Sequence, residues 1–178
     1  AAKKVEFETY KDQVIFEKAE VIKNDGTPYR VYTPYSKKWL AKMRLESIPN
    51  FPSEKNLHNL ASVVQPQLEL NDLGFEASSI PYPEYQLNTA IIRNYEATRN
   101  YPALDQTSRT GSHLRFGTLS VRKMAIEANK GEEITFLKEL IWREFFMQIL
   151  WHFPHTTTQC FKPQYEQIEW RNNEEEFE

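Results

Sequence analysis

Apolar and polar positions change their rhythm along this chain, and each change predicts a different kind of structure. Up to about residue 30 the apolar positions alternate. Val5, Phe7 and Thr9 take every second place, and Gln13-Val14-Ile15-Phe16 reads as a short strand before the turn signal Asn24-Asp25-Gly26. Thr33-Pro34-Tyr35 then reads as a stop, with Ser36 as the N-cap of a helix through Trp39 and Leu40 to about Arg44. From about residue 46 to 83 the periodicity fades. Pro49, Pro52, Pro66, Pro81 and Pro83 punctuate a stretch rich in Asn and Ser. A loop of that length is uncommon inside a compact domain, so it is expected to connect two domains.

Beyond the connector the period becomes helical. Pro83 suits the first turn of a helix through Leu87, Ile91, Ile92 and Tyr95 to about Asn100. Thr118 or Ser120 opens another, through Val121, Met124, Ala125 and Ala128, closing near Gly131. The strongest pattern runs from about Glu132 to His152 and stops at Pro154. Its apolar set, Phe136, Leu137, Leu140, Ile141, Phe145 and Ile149, recurs at three- and four-residue steps. A shorter helix is expected after Pro163, through Tyr165 and Ile168. The fold class is therefore mainly α, with a short β remnant, a long connector and a bundle of about four helices. An apolar face left exposed on that bundle would favour self-association.

Composition narrows the chemistry. At 178 residues the chain can bury a real core. Four Trp, nine Tyr and eleven Phe suit a protein that packs or binds with rings, and only five Gly argue against a Gly-rich nucleotide loop. The net charge of −3 excludes a generally basic nucleic-acid coat, so any DNA contact must come from a local patch. The single cysteine, Cys160, rules out an internal disulfide and suits a reducing, cytoplasmic location. No secretory signal and no long apolar run is present, so no membrane is expected. The first residue is not Met and the chain stops on Glu174-Glu175-Glu176-Phe177-Glu178, which suggests a piece of something longer.

Two segments carry candidate chemistry. Thr107-Ser108-Arg109 sets two hydroxyls and a guanidinium ahead of a short helix that Ser112 is placed to cap. Amides at a helix start, with hydroxyls and an Arg beside them, suit phosphate or pyrophosphate. The plainer alternative is capping by Thr and Ser with Arg109 in solvent. In Glu139-Leu140-Ile141-Trp142-Arg143-Glu144-Phe145-Phe146, the acid, the indole and the guanidinium of Arg143 share one helix face. That set suits a flat, polar-edged, phosphate-bearing ligand, and equally a buried Trp beside an ion pair of Glu139 and Arg143. His113 suits either polarising a phosphate or packing. His152, His155 and Cys160 match no standard metal spacing, and no metal is expected. Phe145-Phe146-Met147 and Leu150-Trp151 read as core packing.

The order Tyr95…Arg99-Asn100-Tyr101-Pro102-Ala103-Leu104-Asp105-Gln106-Thr107-Ser108-Arg109…His113-Leu114-Arg115-Phe116-Gly117-Thr118-Leu119-Ser120, followed by the octet from Glu139 to Phe146, resembles the flavin domain of the photolyase and cryptochrome family. Asp25-Gly26-Thr27-Pro28-Tyr29…Tyr32-Thr33-Pro34-Tyr35…Trp39 resembles the exit from that family's N-terminal α/β domain. Phe161-Lys162-Pro163 and Ile168-Glu169-Trp170-Arg171-Asn172 resemble the stretch before its second flavin-binding half. The resemblance implies three parts. Residues 1–35 are the tail of an antenna domain whose chromophore is of the folate or deazaflavin type. Residues 36–82 are a connector with one short helix, and residues 83–178 are the first half of a helical FAD-binding domain.

The resemblance also implies roles. Tyr95, Thr107, Ser108 and Arg109 match the grip on the FAD diphosphate. Gly111 stands where a serine is usual and offers its backbone N–H, while Thr110 replaces a usual leucine. Glu139 matches the acid that hydrogen-bonds a cyclobutane pyrimidine dimer, Trp142 the ring that stacks on it, and Arg99 and Arg143 the arginines that contact DNA phosphates. The family reaction is light-driven electron transfer from reduced FAD to the dimer. Glu139 favours a class I dimer-repairing photolyase acting on DNA that carries pyrimidine dimers. A blue-light cryptochrome, or a helical interaction module without flavin, is the alternative. With half a flavin cage, these residues alone are expected not to repair DNA.

Overall fold

The computed structural model describes residues 6–49, 51–62, 68–81 and 84–177. They form α1 (Tyr32–Leu45), α2 (Thr89–Thr98), α3 (Gly111–Phe116), α4 (Val121–Ala128) and α5 (Thr135–His152), joined by loops and short 3₁₀ turns. Contacts divide the chain into two compact units, Ala1–Ser47 with Leu137–Glu178, and Ile48–Phe136.

The mainly helical expectation holds, but the β remnant does not form: no strand occurs among the described residues. Val5 lies outside them, and Phe7 and Thr9 are exposed. The reason is clear at 15 and 16. The amides of Ile15 and Phe16 donate to the Glu144 carboxylate, at 2.6 and 3.1 Å, instead of to a neighbouring strand. Apolar alternation predicts an extended segment, while a strand also needs a backbone partner.

α1 starts four residues before Ser36. Pro34 is no stop there, because its missing N–H falls in the first turn, where the amides lack helical partners anyway. Ser36 sits inside the helix, its hydroxyl donating to the Thr33 carbonyl at 3.0 Å. Tyr35 and Trp39 are buried from α1 against Ile15, Phe16 and Val21 of the N-terminal segment and Leu137, Leu140, Ile141 and Phe145 of α5. The Phe16 ring meets the Trp39 ring edge-on at 5.2 Å, and Tyr35 meets Phe145 at the same distance. Each such fully buried side chain contributes roughly 1.5–3 kcal/mol.

The second unit begins with a Pro-rich stretch whose described residues are mostly exposed and irregular apart from 3₁₀ turns at Ser53–Asn59 and Leu70–Leu73. Pro83 lies outside the described residues. α2 begins later than expected, capped by Asn88, whose side chain accepts the Ile91 N–H at 2.9 Å. Ser120 caps α4 through the Lys123 N–H. Ile91, Ile92, Leu114, Val121, Met124, Ala125, Ala128 and Phe136 form this unit's core. α5 ends where the Phe153 N–H closes on Ile149 and Pro154 cannot continue the ladder.

Candidate functional site

In the first unit, α5 has a locked face and an open one. Glu139 and Trp142 are half-buried, whereas Leu140, Ile141, Glu144 and Phe145 are buried. The Trp142 ring lies parallel to the Tyr32 ring, centroids 3.6 Å apart and planes 5° apart. Phe146 stacks obliquely at 5.5 Å and Phe145 meets the indole edge-on at 5.7 Å. The Tyr32 hydroxyl donates to the Lys138 carbonyl at 2.9 Å. Burial, reinforced by the negative charge of Glu139, pushes the Tyr32 phenol up to about 12. An acid and a flat ring thus share one face of a rigid helix, one turn apart.

Arg143 is drawn away from that face. Its guanidinium donates to the Gln13 carbonyl at 2.7 Å, and burial lowers its pKa against the opposing pull of Glu144. Glu144 escaped the sequence reading. It is 2% exposed, and beyond the two backbone amides it accepts the Trp39 indole N–H at 2.7 Å and the Tyr35 hydroxyl at 3.5 Å. Burial pushes its carboxyl up, and these donors pull it back. An acid flanked by Ile141, Phe145 and Gln148 on the apolar side of α5 was the available signal.

In the second unit, residues 105 to 111 make a tight polar bend. The hydroxyls of Ser108 and Thr110 share a hydrogen bond at 2.9 Å, and the Ser108 carbonyl accepts the Gln86 N–H at 2.8 Å. Arg109 holds a left-handed backbone, φ +51°, with its guanidinium on Asp105 at 2.7 Å. Thr110, not Ser112, precedes α3. Its carbonyl accepts the Leu114 N–H at 2.9 Å, while its hydroxyl is taken by Ser108. A Cβ built on Gly111 would meet nothing within 4 Å, so a side chain there would have room. Thr107 is exposed. Hydroxyls, an arginine and the first amide of a helix in one bend suit a phosphate or diphosphate.

Tyr95 and Arg99 come together on α2, with the guanidinium 5.3 Å from the Tyr95 ring and that ring edge-on to Phe136 at 5.2 Å. His113 packs: its ring meets Tyr85 at 4.8 Å, and Nδ1 shares a hydrogen bond with Thr118. His152 faces the Lys18 carbonyl at 3.1 Å, and the Cys160 amide donates to Glu166. No helix among the described residues is long and apolar enough to cross a membrane.

Residues 136–178 match the FAD binding domain of DNA photolyase, and residues 1–54 match the DNA photolyase family model. Deoxyribodipyrimidine photo-lyase of Alkalihalophilus pseudofirmus is 27% identical over 99% of this chain and 40% of its own length. The Halobacterium salinarum protein of that name is 29% identical over 92% of this chain and 39% of its own length. That of Escherichia coli is 27% identical over 97% and 40%. The chain thus spans about 40% of the length of these relatives. Matched to photolyase models in two separate segments, and to photo-lyases over almost every residue, the chain is similar to DNA photolyases along nearly its whole length.

Proposed function

We propose that the chain carries the lesion-facing helix and the flavin-diphosphate grip of a cyclobutane pyrimidine dimer photolyase. Residues 1–35 are then the tail of an antenna domain with a folate- or deazaflavin-type chromophore. Residues 36–82 are the connector and 83–178 the first half of the FAD-binding domain. Because the chain spans about 40% of its relatives' length, the activity is assigned to a protein of their full span.

One observation carries the assignment. Glu139 and Trp142 sit half-buried on one face of α5 while Leu137, Leu140, Ile141, Glu144 and Phe145 of that helix are fixed in a core. A flipped pyrimidine dimer needs a ring to stack on and a partner for its polar edge. The indole supplies the first and the carboxylate the second. FAD, when bound, supplies the light-excited electron donor. Thr107, Ser108, Arg109 and the Gly111 amide would hold its diphosphate, with Tyr95 beside them. Arg99 and Arg143, each in its own unit, are assigned to DNA phosphates, and Arg143 would reach one by releasing the Gln13 carbonyl.

The test is repair of an oligonucleotide containing one thymine dimer by the full-length, flavin-loaded protein under blue light. Repair is expected, and Trp142→Ala should weaken dimer binding about tenfold or more, the usual worth of a base stacked on an aromatic ring. A protein that holds flavin and repairs nothing would move the assignment to blue-light signalling.

A further inference from the structure

Tyr32 makes with α5 the same two kinds of contact that a base would make. Its ring lies flat on the Trp142 indole at 3.6 Å. Its polar end reaches the start of the octet, where the hydroxyl donates to Lys138 and lies within the field of Glu139. We infer that Tyr32 is a gate on the lesion site, covering the stacking face of Trp142 and swinging aside when a flipped pyrimidine takes its place. The inference rests on the dimer-repair assignment above.

The surroundings make such a swing inexpensive. Tyr32 is the first residue of α1 and follows the extended Val31, at φ −129° and ψ 134°. A first-turn residue turns its side chain without disturbing a preceding turn of helix. The ring is only half-buried, so it has solvent to enter, and its hydroxyl is anchored by hydrogen bonds to the Lys138 carbonyl and the Ser36 side chain, which water can replace. Tyr35, one helical turn on, is different. It is buried with its hydroxyl facing Glu144 and cannot leave without opening the core.

A ring that must be displaced reduces the fraction of protein ready to receive the lesion, and apparent affinity falls by that fraction. Removing the ring returns the lost affinity. Undamaged duplex, held through its phosphates without flipping a base, does not meet the gate.

The experiment compares wild type, Tyr32→Phe and Tyr32→Ala in the full-length, flavin-loaded protein. Binding is measured to a thymine-dimer oligonucleotide and to its undamaged counterpart. An aromatic pair of this kind predicts dimer binding about two- to tenfold tighter in Tyr32→Ala. Binding to undamaged DNA should not change, and Tyr32→Phe, which keeps the ring and loses the anchor, should fall between. If Tyr32→Ala does not fold, tighter binding in Tyr32→Phe alone supports the gate, and unchanged or weaker binding overturns it. Weaker or equal dimer binding in a folded Tyr32→Ala makes Tyr32 a mere support for Trp142 and overturns the gate while leaving repair intact. A wild type that cannot tell the dimer from undamaged DNA overturns the repair assignment, and the gate with it.

Discussion

The indole N–H of Trp39 donates to Oε1 of Glu144 across 2.7 Å, tying α1 to α5 through a carboxylate with almost no contact with solvent. The same carboxylate takes the amides of Ile15 and Phe16. One side chain therefore holds three segments of the first unit.

Removing it should be costly. Glu144→Ala strands several buried N–H donors, and a loss of roughly 3–5 kcal/mol is expected in chemical denaturation. Trp39→Phe removes one charge-assisted bond and should cost about 1.5–3 kcal/mol. If Glu144→Ala proved no worse than Trp39→Phe, the two backbone amides would have to depend on something other than this acid.

Tyr32 should contribute an alkaline dependence of stability. Its phenol is raised from the ordinary 10.0 to about 12, by burial first and by the charge of Glu139 second. The unfolded chain thus loses the proton before the folded one. The stabilisation is whole below pH 10 and is lost as pH rises toward about 12. Phenolate absorbance followed alongside unfolding should show this window in wild type and not in Tyr32→Phe. Tyr35, raised further by burial and by Glu144, should ionise only with unfolding.

Arg109 should trade stability against flavin. Its left-handed backbone at φ +51° costs about 1 kcal/mol that glycine does not pay. Arg109→Gly also loses the exposed Asp105 pair, worth about 0.2–1 kcal/mol, so stability should stay within about 0.5 kcal/mol of wild type. Flavin affinity should fall about tenfold or more, since charge-assisted hydrogen bonds contribute roughly 1.5–3 kcal/mol. Unchanged flavin binding would remove Arg109 from the diphosphate grip.

Gly111→Ser should be tolerated and should help. The added Cβ meets nothing within 4 Å, and serine suits a helix better than glycine by about 0.5 kcal/mol. Its hydroxyl offers a further donor to phosphate, so flavin should bind about two- to tenfold tighter. Weaker binding, measured by flavin fluorescence, would place the cofactor elsewhere.

The helices were legible where periodicity and capping agreed. α5 shows an apolar rhythm ended by Pro154, and Ser120 opens α4 as its position suggested. Boundaries failed where a local signal had two meanings. Pro34 breaks a helix interior but suits a first turn, and Asn88 caps α2 from a place where Pro83 drew attention. The extended segment at 13–16 was legible as extended, but its partner, a glutamate far along the chain, was not. The roles of Glu139 and Trp142 were visible as types and spacing. That Tyr32 lies on the indole was not, because ring pairing across distant segments leaves no periodic trace.

The Ile15–Glu144 hydrogen bond joins residues 129 apart in sequence. On the ribosome, α1 and the strap before it emerge ahead of α5 and wait. Their core cannot close until the intervening unit and then α5 have been translated, which exposes Phe16, Tyr35 and Trp39 to solvent or to chaperones meanwhile. Late closure of so long a loop makes this carboxylate one of the final pieces of the unit to settle, and folding of the whole should be slow for its helical content.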